Sequence, residues 1–420
     1  MVIISLSILV ASLFYPAHAQ GTDLLWKETY DGGKDDTFLA AAVDSQDNTV
    51  VAGWTIKSDY QHTDYLIIKY GSNGKILWNR ITNLSGMNYA QGITVDSQDN
   101  IIVTGKMNAS ERADIYTIKY DKDGNKIWDA IYDNSEDDFA TDVAVDSQDN
   151  IIVVGSSNKD CLIIKYANDG MKIWNKTYGD NLFNYATGVA IDSKDNIVVA
   201  ATFYNGTSSV NTTTGWTPSK YYTTKFDASG NEIWHRTFGG ISGFKKNPYH
   251  DMLAVATCVA VDSHDNIIVT GKSNSSYHTI KYSTNGEEIW TKEDNYRIGI
   301  PYGVTTDSKN NIIITGTFSH ADQKNSPYET STIKYDENGS RLWIKNYFNN
   351  KDSEGMDIAV DSSDNILVVG ATNLHIYGGE GNTDGLILKY KQGKSDNTPG
   401  FEIIALLTAM GVVLWLKRRR

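Results

Sequence analysis

Proline and cysteine are both scarce: six prolines and two cysteines are spread over 420 residues. Cys161 and Cys258 fall in different, non-adjacent repeat units, so no disulfide is expected. With no ligand set around either, they make no zinc site and read as small buried hydrophobes. No helical periodicity appears between the two ends, which leaves a β-protein. Gly-x-Ser-x-Gly, His-Glu-x-x-His and a phosphate loop are all missing, so no catalytic residue and no metal ligand is assigned. Lys and Arg total 38 against 51 Asp and Glu, a net charge of −13. A surface this acidic argues against nucleic acid and anionic lipid as partners, and suits solubility or association with cations.

Tyrosine and tryptophan are plentiful, at 25 and 10, as in an extracellular β-protein. Residues Val2 to Tyr15 are almost wholly apolar or small, and Ala17-His18-Ala19 fits a small-x-small cleavage site. The segment reads as a signal peptide over residues 1–19, cut after Ala19, although its start carries neither Lys nor Arg. An uncleaved anchor is the alternative, disfavoured because the apolar run is short for a span. At the other end, Phe401 to Leu416 is apolar apart from Glu402 and Thr408 and is followed by Lys417, Arg418, Arg419 and Arg420, a cluster that stays cytoplasmic under the positive-inside rule.

The tail, with Pro399, Gly400 and Phe401 ahead of a short apolar helix and a terminal basic cluster, resembles the PGF-CTERM sorting signal of archaeal surface proteins. The resemblance implies that Pro399, Gly400 and Phe401 are a processing motif. It implies an archaeosortase as a partner, a membrane lipid as the replacement anchor, and an archaeal cell surface as the location. The family's long Thr-rich stalk is reduced here to a linker over 392–398. A retained transmembrane helix over 399–420 is the alternative.

Between the ends, residues 20–391 are repetitive. The segment Val-Asp-Ser-x-Asp-Asn recurs with small variations, its first aspartates being Asp44, Asp96, Asp146, Asp192, Asp262, Asp307 and Asp361. An apolar-Lys-aromatic run follows each, ending at Tyr70, Tyr120, Tyr166, Phe226, Tyr282, Tyr335 or Tyr390. Six of these are followed by a tryptophan eight residues on, and a seventh, Trp26, stands alone at the start. Each unit reads as four short strands, A to D, exemplified by Val143–Asp146, Ile151–Val154, Leu162–Tyr166 and the segment around Trp174. Four strands per unit of this length is propeller spacing. The expected fold is therefore all-β: a seven-bladed β-propeller whose last blade is completed by the Trp26 strand, Leu24 to Tyr30, leaving no open sheet edge. The units resemble SBBP-type beta-propeller repeats and, more loosely, NHL repeats. The C–D segment is similar to the tryptophan-docking repeat of quinoprotein propellers, whose packing tryptophans do not bind the cofactor. These resemblances speak for the fold and hardly for function.

Connection lengths separate the two faces. The A–B spacing from Asp to Gly or Ala is nine residues in every unit, and the C–D spacing from the aromatic residue to Trp is eight. The B–C spacing runs from 11 to 25, and the D–A spacing jumps to 28 between Trp234 and Asp262. Neighbouring strands alternate in direction, so all variation lies on one face, where binding residues concentrate. The largest insertions, Tyr204 to Tyr221 and Gly239 to Ala256, adjoin at blades four and five. Tyr204, Trp216, Tyr249 and His250 are the candidate binding residues. Tyr60, Phe318, Tyr328 and Tyr377 add aromatic surface suited to sugars or protein partners.

The residues that recur in every unit are read as scaffold: the lysine of strand C paired with the aspartate of strand A, the Asp-Ser-x-Asp-Asn turns as self-bonded Asx turns, and the tryptophans as packing between blades. No cofactor is expected, with calcium at those turns an open alternative. His62, His250, His320 and His375 lie on four variable-face connections, where a lyase-like acid–base set would need them to converge. Sequons occur at Asn83, Asn108, Asn175, Asn205, Asn211, Asn274 and Asn338, plausible glycan sites in a secreted chain. The expectation is a monomeric, non-enzymatic surface module recognising a glycan or protein. The alternatives are a propeller enzyme of the lyase or quinoprotein kind and a purely structural envelope component.

Overall fold

The computed structural model describes residues 24–56, 62–82, 84–108, 112–180, 183–204, 219–239, 254–273, 276–294, 298–319, 328–348, 352–374 and 382–392. These form 28 strands in seven separate antiparallel sheets of four, each in the order A-B-C-D. Blade 1 comprises Asp36–Val43, Thr49–Thr55, Asp64–Tyr70 and Ile76–Ile81. Blades 2 to 6 follow the same order along the chain. Blade 7 comprises Ser353–Val360, Ile366–Thr372 and Asp384–Tyr390, and takes its fourth strand, Leu24–Tyr30, from the other end of the chain. Trp26 stands opposite Lys389 there, as Trp78 stands opposite Lys69 and Trp128 opposite Lys119 within their own blades. The chain thus closes its ring with the register used everywhere else. Closure does not abolish edges, however. In each sheet the inner strand A and the outer strand D are hydrogen-bonded on one side only, to strands B and C.

Strands B and C are buried almost throughout, whereas strand D alternates between exposed and half-buried residues. The apolar core lies between blades. Ile152, Val154 and Ile163 of blade 3 pack on Ala186, Val189 and Val199 of blade 4. Phe38, Val51 and Leu66 of blade 1 pack on Val369 and Ile387 of blade 7, so the closing interface is built like the rest.

The recurring motif is absorbed by this frame. In blade 2, Asp96 Oδ1 accepts the backbone N–H groups of Gln98 and Asn100, and Oδ2 accepts the Asn100 amide. The same carboxylate pairs with Lys119 at 2.7 Å, both side chains buried. All seven expected Lys–Asp pairs form, at 2.6 to 2.9 Å. Burial alone would push these carboxyls up, but the lysine, the asparagine amide and the turn N–H groups together hold them below the usual range.

The motif serine reaches into the next blade. Ser97 N and Oγ donate to the two oxygens of Asp149, and the pattern runs round the ring until Ser362 donates to Asp47. Each receiving residue sits at φ near +60°, in the left-handed region that Asp and Asn tolerate better than most. In one blade that residue is Asn310, which accepts only the Ser263 N–H.

Tryptophan and lysine converge on the following blade as well. Trp78 Nε1 and Lys69 Nζ both donate to the carbonyl of Lys122, in the C–D turn of blade 2. Trp128 and Lys119 do the same at Asn168. The indole lies on the glycine of that turn. At Gly124, φ is +80° and a Cβ would stand 2.9 Å from Trp78 Cδ2. Both turn geometry and packing therefore require glycine.

Candidate functional site

The A–B and C–D turns face one way, and the repeated polar side chains of the A–B motif are engaged in bonds. The oxygens of Asp44 and its six counterparts are occupied by lysine, asparagine and backbone donors. Those of the αL aspartates are taken by the neighbouring serine. The calcium considered at these turns therefore finds no free carboxylate there.

The opposite face carries the B–C and D–A connections. Of the residues proposed to bind, only Tyr204 lies within the described part of the chain. Trp216, Tyr249 and His250 lie outside it, as do Tyr60, Tyr377, His320 and His375. Tyr204 is the last residue of its strand, Ile197–Tyr204, and is half-buried. Its ring packs on Tyr185, with centroids 6.1 Å apart and hydroxyls at 3.4 Å. Burial, followed by the Tyr204 hydroxyl, drives the Tyr185 phenol well above its ordinary value. Phe318 corrects the reading of loop aromatics. It belongs to the strand Ile312–Ser319, is buried, and stacks on Tyr277 at 4.4 Å. It is core. Tyr328 is half-buried and anchored through its N–H to Asp352.

Other aromatics at this end of the blades escaped the sequence reading. Trp54, near the end of strand B in blade 1, meets Tyr89 of blade 2 edge-on at 5.9 Å. Lys106 of blade 2 lies 5.2 Å over the ring of Phe139 in blade 3. Trp54, Tyr89, Phe139, Tyr185 and Tyr204 are all half-exposed and line the same end of blades 1 to 4. A signal for them existed. Trp54 fills a repeat column that elsewhere holds Lys106, Ser156, Thr202, Lys272, Thr317 and Ala371, so it is not a frame residue.

Two carboxylates inside the ring were also missed. Strand A carries a bulge in every blade, between Ala140 and Asp142 in blade 3 and between Gly355 and Asp357 in blade 7. Asp142 accepts the N–H of Val189 in blade 4, and Asp357 that of Ala41 in blade 1, at 2.9 and 2.8 Å. Burial pushes Asp142 up to about 6 and Asp357 up to about 7, with Asp142 adding to the latter. The same column holds Cys258, whose thiol is pushed up by burial and then by Asp357 and Asp142. Both cysteines are free, as expected, and Cys161 is fully buried.

Of the sequons, Asn175 and Asn338 are exposed, on an outer strand and in a C–D turn, while Asn108 is half-buried. Asn83, Asn205, Asn211 and Asn274 lie outside the described residues. So do Ala19 and the Pro399-Gly400-Phe401 tail. No described helix is long and apolar enough to cross a membrane.

The sequence matches no protein-family model. A stretch of 123 residues is 32% identical to an uncharacterized WD repeat-containing protein of Acanthamoeba polyphaga mimivirus, covering 26% of this chain. The match spans 9% of the length of that relative. In three dimensions the chain is similar to YCF48 bound to a D1 peptide, with TM-score 0.52, 7% identity, and 90% and 97% of the two chains covered. It is also similar to Sqt1 from Chaetomium thermophilum, with TM-score 0.50, 9% identity, and 89% and 100% covered. Likenesses at this identity establish the propeller fold alone.

Proposed function

We propose that the chain is a non-enzymatic recognition module of an outer cell surface, a propeller that presents its variable-loop face to a glycan or protein partner. One observation carries this reading: the repeated polar side chains of the motif are consumed by bonds that hold blade to blade. What departs from the repeat is collected on the opposite face, where half-exposed aromatics line the ends of blades 1 to 4, Tyr204 immediately preceding the insertion at 205–218. Tyrosine and tryptophan offer large contact area at small entropic cost, which suits recognition. The likeness to a peptide-bound propeller is in keeping with such a role. Secretion through residues 1–19, an archaeal envelope, and anchoring through Pro399-Gly400-Phe401 by an archaeosortase belong to the same proposal and rest on the sequence of the two ends. Intact-mass analysis of membrane-extracted protein tests the anchoring. A chain lacking Phe401 to Arg420 and carrying a lipid supports it, and the full unmodified tail contradicts it. Recognition is tested by binding to envelope preparations with the insertions 205–218 and 240–253 trimmed.

A further inference from the structure

Where blade 2 meets blade 3 on the variable-loop face, three carboxylates converge. Asp114 opens strand C of blade 2, Asp133 follows its strand D, and Asp138 opens strand A of blade 3. One oxygen from each lies within 4.8 Å of the others. We propose that Asp114, Asp133 and Asp138 hold a calcium-type divalent cation that ties blade 2 to blade 3. Oxygens on a Ca²⁺ at about 2.4 Å can stand no further apart than about 4.8 Å, and an all-carboxylate set with room for water is the donor set of a hard cation.

Two unmet groups point to the ligand. Asp114 is only 8% exposed, and its carboxylate receives no hydrogen bond from any described residue. Asp138 is fully buried. Its Oδ2 accepts the Asn134 N–H, while no aligned donor reaches Oδ1, the Ser157 hydroxyl nearby offsetting its burial only in part. Burial and then the neighbouring carboxylates push both Asp114 and Asp138 up.

The repeat supplies an internal control. Elsewhere the acid that opens strand C has a donor: Asp64 accepts the Leu84 N–H, and Asp384 accepts the Asn373 amide. At the junction of blades 3 and 4, the position of Asp138 is held by Asn184. Its amide donates to Asp180 at 2.7 Å and to Asp160, the counterpart of Asp114, at 3.4 Å. Replacing that amide by a third carboxylate removes the positive end of the arrangement, and a bound cation restores it.

Calorimetric titration of the full chain with calcium chloride tests the site. We expect a saturable site with Kd of roughly 0.1–1 mM. Asp138→Asn should weaken it at least tenfold. Because the variant rebuilds the Asn184 arrangement, its melting midpoint in chelator should equal or exceed that of the parent. Asp133→Asn, at an exposed position, serves as the second variant should the first fail to fold. No saturable binding up to about 10 mM, or unchanged affinity in the folded variant, overturns the proposal.

Discussion

Lys119 makes an ion pair to Asp96 in its own blade and a hydrogen bond to the Asn168 carbonyl of the next, all out of contact with water. Removing one partner of a buried pair strands the other charge. Lys119→Met should therefore lower unfolding free energy by about 3–5 kcal/mol in chemical denaturation, and adding Asp96→Asn should recover part of the loss. The carboxyl groups whose pKa is raised give a second outcome. Asp36 and Asp142, pushed up to about 6, and Asp357, pushed up to about 7, bind a proton more tightly folded than unfolded. Their contribution to stability is present at low pH and lost as pH rises through about 6–7. His278, pushed down to about 4 by burial, works in the opposite sense between about 4 and 6.5 but is one group against these carboxyls and the further raised ones, Asp114, Asp138 and Glu354. The seven frame aspartates, held below the usual range, lose their contribution only as pH falls below it. The melting midpoint should therefore peak near pH 4, where these carboxyls are still protonated in the folded state, and decline until about pH 7. A midpoint that climbs steadily from pH 5 to 8 contradicts this. The Lys–Asp pairing was legible because it repeats seven times. Asp142 and Asp357 were not, because their column holds Ala, Gly or Cys elsewhere and a bulge, which alternation cannot reveal, sets their direction.

At the level of strands, the closing segment Leu24–Tyr30 makes the clearest case. Trp26 Nε1 donates to the Ser72 carbonyl of blade 1, as Trp78 Nε1 does to the Lys122 carbonyl one blade on, and Lys389 lies 5.9 Å from the Trp26 ring. Deleting residues 20–30 strips the outer strand from blade 7 and exposes Asp384–Tyr390 as a new edge. Aggregation, or a melting midpoint lowered by several degrees or more, is expected. An unchanged melting curve would mean that the ring does not depend on its own ends. The number and order of strands could be read from the repeat, but their lengths could not. Strand A of blade 3 runs from Asp138, five residues before the apolar Val143, because Asp138 and Phe139 pair with Ser157 and Ser156 of strand B. Phe318 was misplaced for the same reason: the strand continues past the apolar run into what reads as loop.

The whole molecule divides its sequence between two faces. One is a lattice of short, invariant turns whose Asp, Ser, Asn and Lys side chains bind blade to blade. The other carries the loops of unequal length, the half-exposed aromatics of blades 1 to 4 and the convergent acids of blades 2 and 3. Position on the ring was legible from connection length, whereas the aromatic set was visible only by comparing columns of the repeat. The division predicts that recognition and folding respond to different changes. The direct test measures binding to envelope preparations and thermal unfolding side by side for the parent chain, a variant trimmed at 205–218 and 240–253, and Asp149→Ala in the serine latch. Trimming should reduce affinity at least tenfold with an unchanged midpoint, and Asp149→Ala should lower the midpoint while the folded protein binds as before. Undiminished binding after trimming would contradict the account.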